Sequence, residues 1–156
     1  MGESISEFNL ASGIRVRIVE APFSESMFKV DLCPNGISVC RINGKVPHGV
    51  AVEKPKTYLK ELMIAYKGKS YKLDSSNMFN AWGKRPLQYP SGDIRYFGGH
   101  CHDEKLCVVR GLFADAGATF VAEWKVVDGV AERTVITDSD DVVKLFMVNI
   151  DPPKSY

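Results

Sequence analysis

The densest run of chemically capable side chains is His100-Cys101-His102-Asp103-Glu104, with Cys107 three residues further on. Nitrogen, sulfur and carboxylate oxygen are the donors that zinc takes. On a strand, however, His100 and His102 would share a face that Cys101 does not, and the ligand spacings of structural zinc sites are missing. A thiol nucleophile would need Cys101 or Cys107 free, a histidine such as His48 beside it and a third group to orient that histidine. The local sequence supplies none of these. Gly98-Gly99-His100 has neither the length nor the lysine of a phosphate loop, and no Gly-x-Ser-x-Gly elbow occurs. Asp140-Asp141 falls where a helix should start, and favourable charge at a helix N-terminus accounts for the pair. The sequence therefore predicts no metal and no cofactor, and no catalytic residue emerges.

A second reading of the cysteines is stronger. Cys33 and Cys40 flank Pro34-Asn35-Gly36 between two alternating segments, and Cys101 and Cys107 enclose a polar loop between two others. Each pair sits where a hairpin brings strand ends together. The expected bridges are Cys33–Cys40 and Cys101–Cys107, each closing a short loop and contributing about 2 kcal/mol. Two local bridges imply an oxidising compartment, periplasmic or secreted, with four free thiols in the cytoplasm as the alternative. Residues 1–4 show neither the basic start nor the apolar stretch of a signal peptide, so the export reading expects a mature form.

The chain that carries these groups has 156 residues, 45% hydrophobic and 25% charged, with twenty basic residues against nineteen acidic ones. Such a composition belongs to one ordinary domain with its own core. No apolar run approaches the roughly 20 residues that span a bilayer, so no membrane insertion is expected. A net charge of +1 gives no overall basic field for nucleic acid. The central third is locally basic, with Tyr58, Tyr66, Tyr71 and Trp82 interleaved among lysines, but acidic residues intervene and the whole chain is near neutral, so a solvated face on which lysine stems cover tyrosine rings is the expected reading and no nucleic-acid partner is expected. Residues 1–102 sum to about +5 and residues 103–156 to about −4, so the two ends of the fold should present opposite fields.

The positioning elements are mostly strands. Residues 14–19 alternate strictly, three β-branched residues on one face and two arginines on the other. Hairpins follow about 33–40 and about Lys67-Gly68-Lys69, and strands are expected at 94–97, 106–113, 119–127 and 130–137. Asp128-Gly129 is the strongest turn signal, and a two-residue turn there opposes Val127 to Val130, Lys125 to Glu132 and Trp124 to Arg133. A short helical turn is expected over 77–82, and a C-terminal helix over 142–150, apolar on nearly all sides and hence well buried. The fold class is α+β, mainly β: an antiparallel sheet with a C-terminal helix packed on it. It forms a single domain, with a possible N-terminal β subregion at 1–52 and a main sheet-helix region at 57–153, divided by the proline-punctuated stretch between them.

Recognition is the remaining chemistry. Trp82, Lys84, Arg85, Leu87, Tyr89 and Tyr96 lie in or beside the irregular 83–93 loop, and aromatic residues with arginine are the types that anchor protein interfaces. They are the candidate partner-binding residues, with buried core as the competing role for Trp82 and Tyr96, and the expected partner is a protein. An enzyme or small-ligand carrier, with a pocket between sheet and helix near His100 and His102, is the alternative.

The run from Tyr96 to Lys105, continued by Arg110-Gly111-Leu112-Phe113 and by the Trp124, Asp128-Gly129, Arg133 hairpin, resembles small bacterial proteins of secretion and toxin neighbourhoods. Over residues 58–153 it resembles the immunity proteins of bacterial competition systems. The resemblance implies neutralisation of a cognate toxin by binding and occlusion, and it transfers no residue role.

Overall fold

A computed structural model describes residues 2–81, 96–114 and 118–153. These form β1 (Ser4–Asn9), β2 (Arg15–Pro22), β3 (Val30–Leu32), β4 (Val39–Ile42), β5 (Thr57–Tyr66), β6 (Lys69–Lys72), β7 (Phe97–Asp103), β8 (Leu106–Phe113), β9 (Phe120–Val127), β10 (Val130–Thr137) and α1 (Asp140–Val148). The expected mainly-β, antiparallel architecture with a C-terminal helix is present. It contains two four-stranded sheets, ordered β1-β2-β5-β6 and β10-β9-β8-β7, and a separate β3-β4 hairpin.

Alternation in β2 explains the first sheet. Val16 and Ile18 are buried, and Arg15 and Arg17 turn outward to pair with Glu7 and Glu61. β1 escapes sequence reading because its two large apolar residues, Ile5 and Phe8, are three apart and break the strand period. Pairing with β2 holds it in place. The inner faces of the two sheets close on each other, burying Val16, Ile18, Leu62 and Ile64 against Val109, Phe113, Phe120 and Trp124. Phe113 is central, edge-on to Phe97 at 5.5 Å and to Trp124 at 6.0 Å, and stacked on Phe120 at 5.3 Å.

The Asp128-Gly129 turn has both residues at positive φ, 52° and 79°, and gives the expected register opposing Val127 to Val130, Lys125 to Glu132 and Trp124 to Arg133. Outside this sheet, α1 rests on Leu112 and Val121 through Val143 and Phe146, and the Arg110 guanidinium lies 4.7 Å from the Phe146 ring centre. The helix is shorter on its buried side than its composition suggested. Only Val143 and Phe146 are buried, three residues apart on one stripe, and Leu145, Met147 and Val148 face out, Val148 at 88% exposure. A nine-residue helix on a sheet meets one layer and has nothing to cover its other side.

The expected helical turn over 77–82 is absent from its described part, residues 77–81. Asn77 and Asn80 have positive φ, 65° and 49°, which breaks a helix at both ends. Between them Met78 bridges His48 and Phe79 bridges Tyr58, so the segment runs as an extended edge along β5. The stretch between 1–52 and 57–153 lies within an excursion, residues 23–56, that leaves the first sheet after β2. The strands on either side of it, β2 and β5, pair directly. The excursion has its own small core of Val39, Ile42 and Phe79, packed with Phe23, Phe28 and Tyr58.

Candidate partner-binding surface

Both cysteine pairs are bridged as expected. In the first, Asn35 Oδ1 accepts the N–H groups of Ile37 and Ser38, and Cys33 N–H donates to the Ser38 carbonyl. That tight turn brings the Cys33 and Cys40 Cα atoms to 4.9 Å. In the second, Cys101 and Cys107 stand directly opposite on β7 and β8, 4.0 Å apart at Cα, with Cys107 buried against the main core. With its sulfur in a bridge, Cys101 is neither a zinc ligand nor a nucleophile, and the same holds for Cys107. No helix among the described residues is long and apolar enough to cross a membrane.

The two histidines of this run diverge. His100 is buried, its Nε2 3.1 Å from the Pro153 carbonyl, under a C-terminal segment so close that a Cβ on Gly98 would stand 2.6 Å from the Ile150 carbonyl oxygen. His102 is exposed. The sheet–helix space that a ligand pocket there would need is filled by Leu112, Val121, Val143 and Phe146.

Of the candidate interface residues, Trp82, Lys84, Arg85, Leu87 and Tyr89 lie outside the described residues. The two flanks of their segment are placed. The Ala81 carbonyl accepts the Ala114 N–H at 2.7 Å, and the Tyr96 carbonyl accepts the Leu112 N–H at 2.8 Å, so both stems meet at the end of β8. Tyr96 itself is 42% exposed. Tyr96 is thus the one candidate whose position is described, and it stands at the surface.

A feature missed by sequence reading lies between β6 and β10. Trp124 and Arg133, opposed by the Asp128-Gly129 turn, both reach the loop after β6: Trp124 Nε1 donates to the Asp74 carbonyl at 2.9 Å, and Arg133 Nη1 to the Ser76 carbonyl at 2.6 Å. Further along, Leu59 N–H donates to the Met78 carbonyl and Phe79 N–H to that of His48. Gly49 (φ 86°) lets this connection approach so closely that a Cβ there would lie 1.9 Å from the Phe79 carbonyl oxygen. The held loop forms one wall of an open cleft of about 520 Å³, whose lining includes Phe28, Tyr58, Lys60, Lys72, Ser75 and Asn77. The asparagines around Met78-Phe79 were the available signal, since asparagine tolerates the left-handed conformation that ends regular structure.

Electrostatics around the cleft follow from the same contacts. Burial works to raise the Asp74 pKa, but hydrogen bonds from the Ser76 hydroxyl and N–H, helped by Arg133, bring it below the ordinary carboxylate value. His48, half-buried with its ring 5.7 Å from that of Phe120, is held below the ordinary imidazole value by burial. Asp138 pulls the other way, and Arg133 adds to the lowering. The tyrosines of the basic central third are engaged within the fold: Tyr66 lies under Lys67, Tyr71 donates to the Glu104 carbonyl, and Tyr58 meets Phe28 edge-on.

Five of the exposed large apolar side chains, Met27, Leu32, Ile37, Val46 and Val52, belong to the excursion, Ile37 at 72%, and Leu145, Met147 and Val148 of α1 form a second exposed set. Within the excursion the charged neighbours are five basic and three acidic residues. Comparison with known proteins finds no matching family model, no matching curated protein and no matching solved structure.

Proposed function

We propose that this chain is an exported, periplasmic or secreted protein that works by stoichiometric binding of another protein, in the manner of an immunity protein occluding a toxin. The observation that carries the reading is the set of exposed apolar side chains on residues 23–56, a segment cross-linked by its own disulfide. Single exposed apolar residues are ordinary. Five within one disulfide-bonded segment are apolar area that association would remove from water. The bridged turn holds Ile37 with little freedom left to lose on binding. Tyr96 and residues 83–93, the latter on their composition alone, are the second part of the proposal, with Lys84 and Arg85 suited to an acidic partner.

Affinity capture from the producing cell, with the full chain as bait, tests this directly. The expected result is a protein partner retained at one-to-one stoichiometry by the wild type and lost by an Ile37→Asp/Val46→Asp variant that unfolds at the same temperature. Loss in Lys84→Glu/Arg85→Glu, with retention in the Ile37/Val46 variant, would move the interface from the excursion to the loop. Recovery of no protein partner, together with turnover of a small molecule, would overturn the reading.

A further inference from the structure

Asp74, a carboxylate in the lining of the 520 Å³ cleft, is engaged within the chain. It accepts the Ser76 N–H at 3.0 Å and hydroxyl at 2.7 Å, and lies 3.8 Å from Arg133. The cations at the rim are less committed. Lys60 pairs with Glu3, but Lys72 and Lys45 are exposed and make no ion pair among the described residues. Lys45 does not line the cleft but stands beside it, near enough to Asp74 to help hold that carboxyl below its ordinary pKa, and the carbonyl of the adjacent Val46 accepts the Asn77 side-chain amide. The lining is mixed: the half-buried rings of Phe28 and Tyr58 form a wall, 5.0 Å apart and edge to face, Ser75, Ser76 and Asn77 stand beside them, and Leu73, Met78 and Phe79 are closed off beneath.

An aromatic wall with exposed lysines beside it, next to an Asp74 already held by Ser76 and Arg133, complements an apolar side chain carried between carboxylates. Building on the binding reading above, we propose that the cleft is the anchor site of the interface, and that it takes an aromatic or branched aliphatic side chain flanked by Asp or Glu in an exposed segment of the protein partner. Its volume falls in the range of clefts that hold a bound group, and its wall is fixed from behind by Trp124 and Arg133, so little ordering is needed on binding. The site is also continuous with the exposed excursion, because Phe28 lines the cleft and the adjacent Met27 faces solvent. A flanking carboxylate gains from Lys45 and Lys72 both in steering and in the contact made.

The test is a titration of the full, disulfide-bonded chain with the blocked peptide Asp-Glu-Trp-Asp-Glu, followed by amide NMR, with Lys-Lys-Trp-Lys-Lys as the charge-reversed control. The acidic peptide should shift the amides of Phe28, Tyr58, Lys72 and Asn77, more weakly as salt is raised. The Lys45→Glu/Lys72→Glu variant should bind it about tenfold less tightly or worse with the same thermal midpoint, and Lys45→Gln/Lys72→Gln should lose less. Equal binding of the basic peptide, shifts that map elsewhere, or wild-type affinity in the charge-reversed variant would each overturn the cleft assignment. Failure here is separable from failure of the binding reading. A cellular partner captured equally by wild type and Lys45→Glu/Lys72→Glu removes the cleft and leaves that reading standing, whereas no partner for the wild type removes both.

Discussion

Two hairpins carry nearly the same covalent device in opposite surroundings. Cys33–Cys40 closes a separation of seven residues at the surface of the excursion, and Cys101–Cys107 closes six between strands of the main sandwich. In the first region the bridge stands in for packing, since β3 and β4 rest on a small aromatic core and leave Leu32 and Ile37 in water. In the second the bridge is part of the packing, with Cys107 among Val109, Phe113 and Trp124. A short cross-link constrains the unfolded chain by a similar amount wherever it lies. What differs is whether the bridge itself is packed: Cys107 is fully buried, whereas Cys33 is half-buried and Cys40 exposed, with Leu32 and Ile37 in water beside them.

The largest effect that would sharpen this comparison is in the sandwich core. Phe113→Ala, at the meeting point of three aromatic rings, should lower stability by about 3–5 kcal/mol, because the cavity is enclosed on all sides. Phe28→Ala, at a half-buried ring of the excursion, should cost about 1–2 kcal/mol, close to the ordinary range for a single substitution. Urea unfolding of both variants measures the contrast, and equal losses would mean that the excursion's core matters to global stability as much as the sandwich does.

The disulfides give the next contrast. Removal of Cys101 and Cys107 as an alanine pair should cost the loop-closure contribution of about 2 kcal/mol plus a packing loss at buried Cys107. Removal of Cys33 and Cys40 should cost about 2 kcal/mol or less, expressed as local opening. Amide exchange should then quicken across residues 30–42 while β8 and β9 stay protected. Exchange that quickens evenly across the chain in both variants would erase the distinction.

The smallest effect lies at the seam between the regions. Burial holds His48 below its ordinary pKa of 6.5 in the folded state, so the unfolded chain takes up the proton first as the pH falls. The stabilising contribution is therefore complete above about 6.5 and is lost as the pH drops through the lower folded-state value. Asp138 limits the shift and Arg133 adds to it. His48→Gln should flatten the dependence of the unfolding midpoint on pH in that window. An unchanged slope would place the proton uptake at another group.

Much of the local structure was legible because it depends on neighbours in the chain. The period of two in residues 14–19, the Asp128-Gly129 turn and its three cross-strand pairs, the two cysteine bridges and the position of the C-terminal helix all follow from the preferences of adjacent residues. Of the candidate interface, composition left Tyr96 between surface and core, where the structure exposes it, and it overlooked the cleft. Phe28, Tyr58, Lys72 and Asn77 are far apart along the chain, and no spacing connects them.

What only the tertiary structure decided is which faces meet. Alternation tells which side of a strand is apolar but is silent on whether strands share one sheet or two, so the β2–β5 pairing across residues 23–56 could not be read. Met78-Phe79 lies against β5 and His48 because those carbonyls and N–H groups need partners there, whatever its neighbours suggest. The exposure of Leu145, Met147 and Val148 has the same origin. Sequence determines which residues can be buried, but burial requires a second surface, and that surface is supplied or withheld by distant parts of the chain.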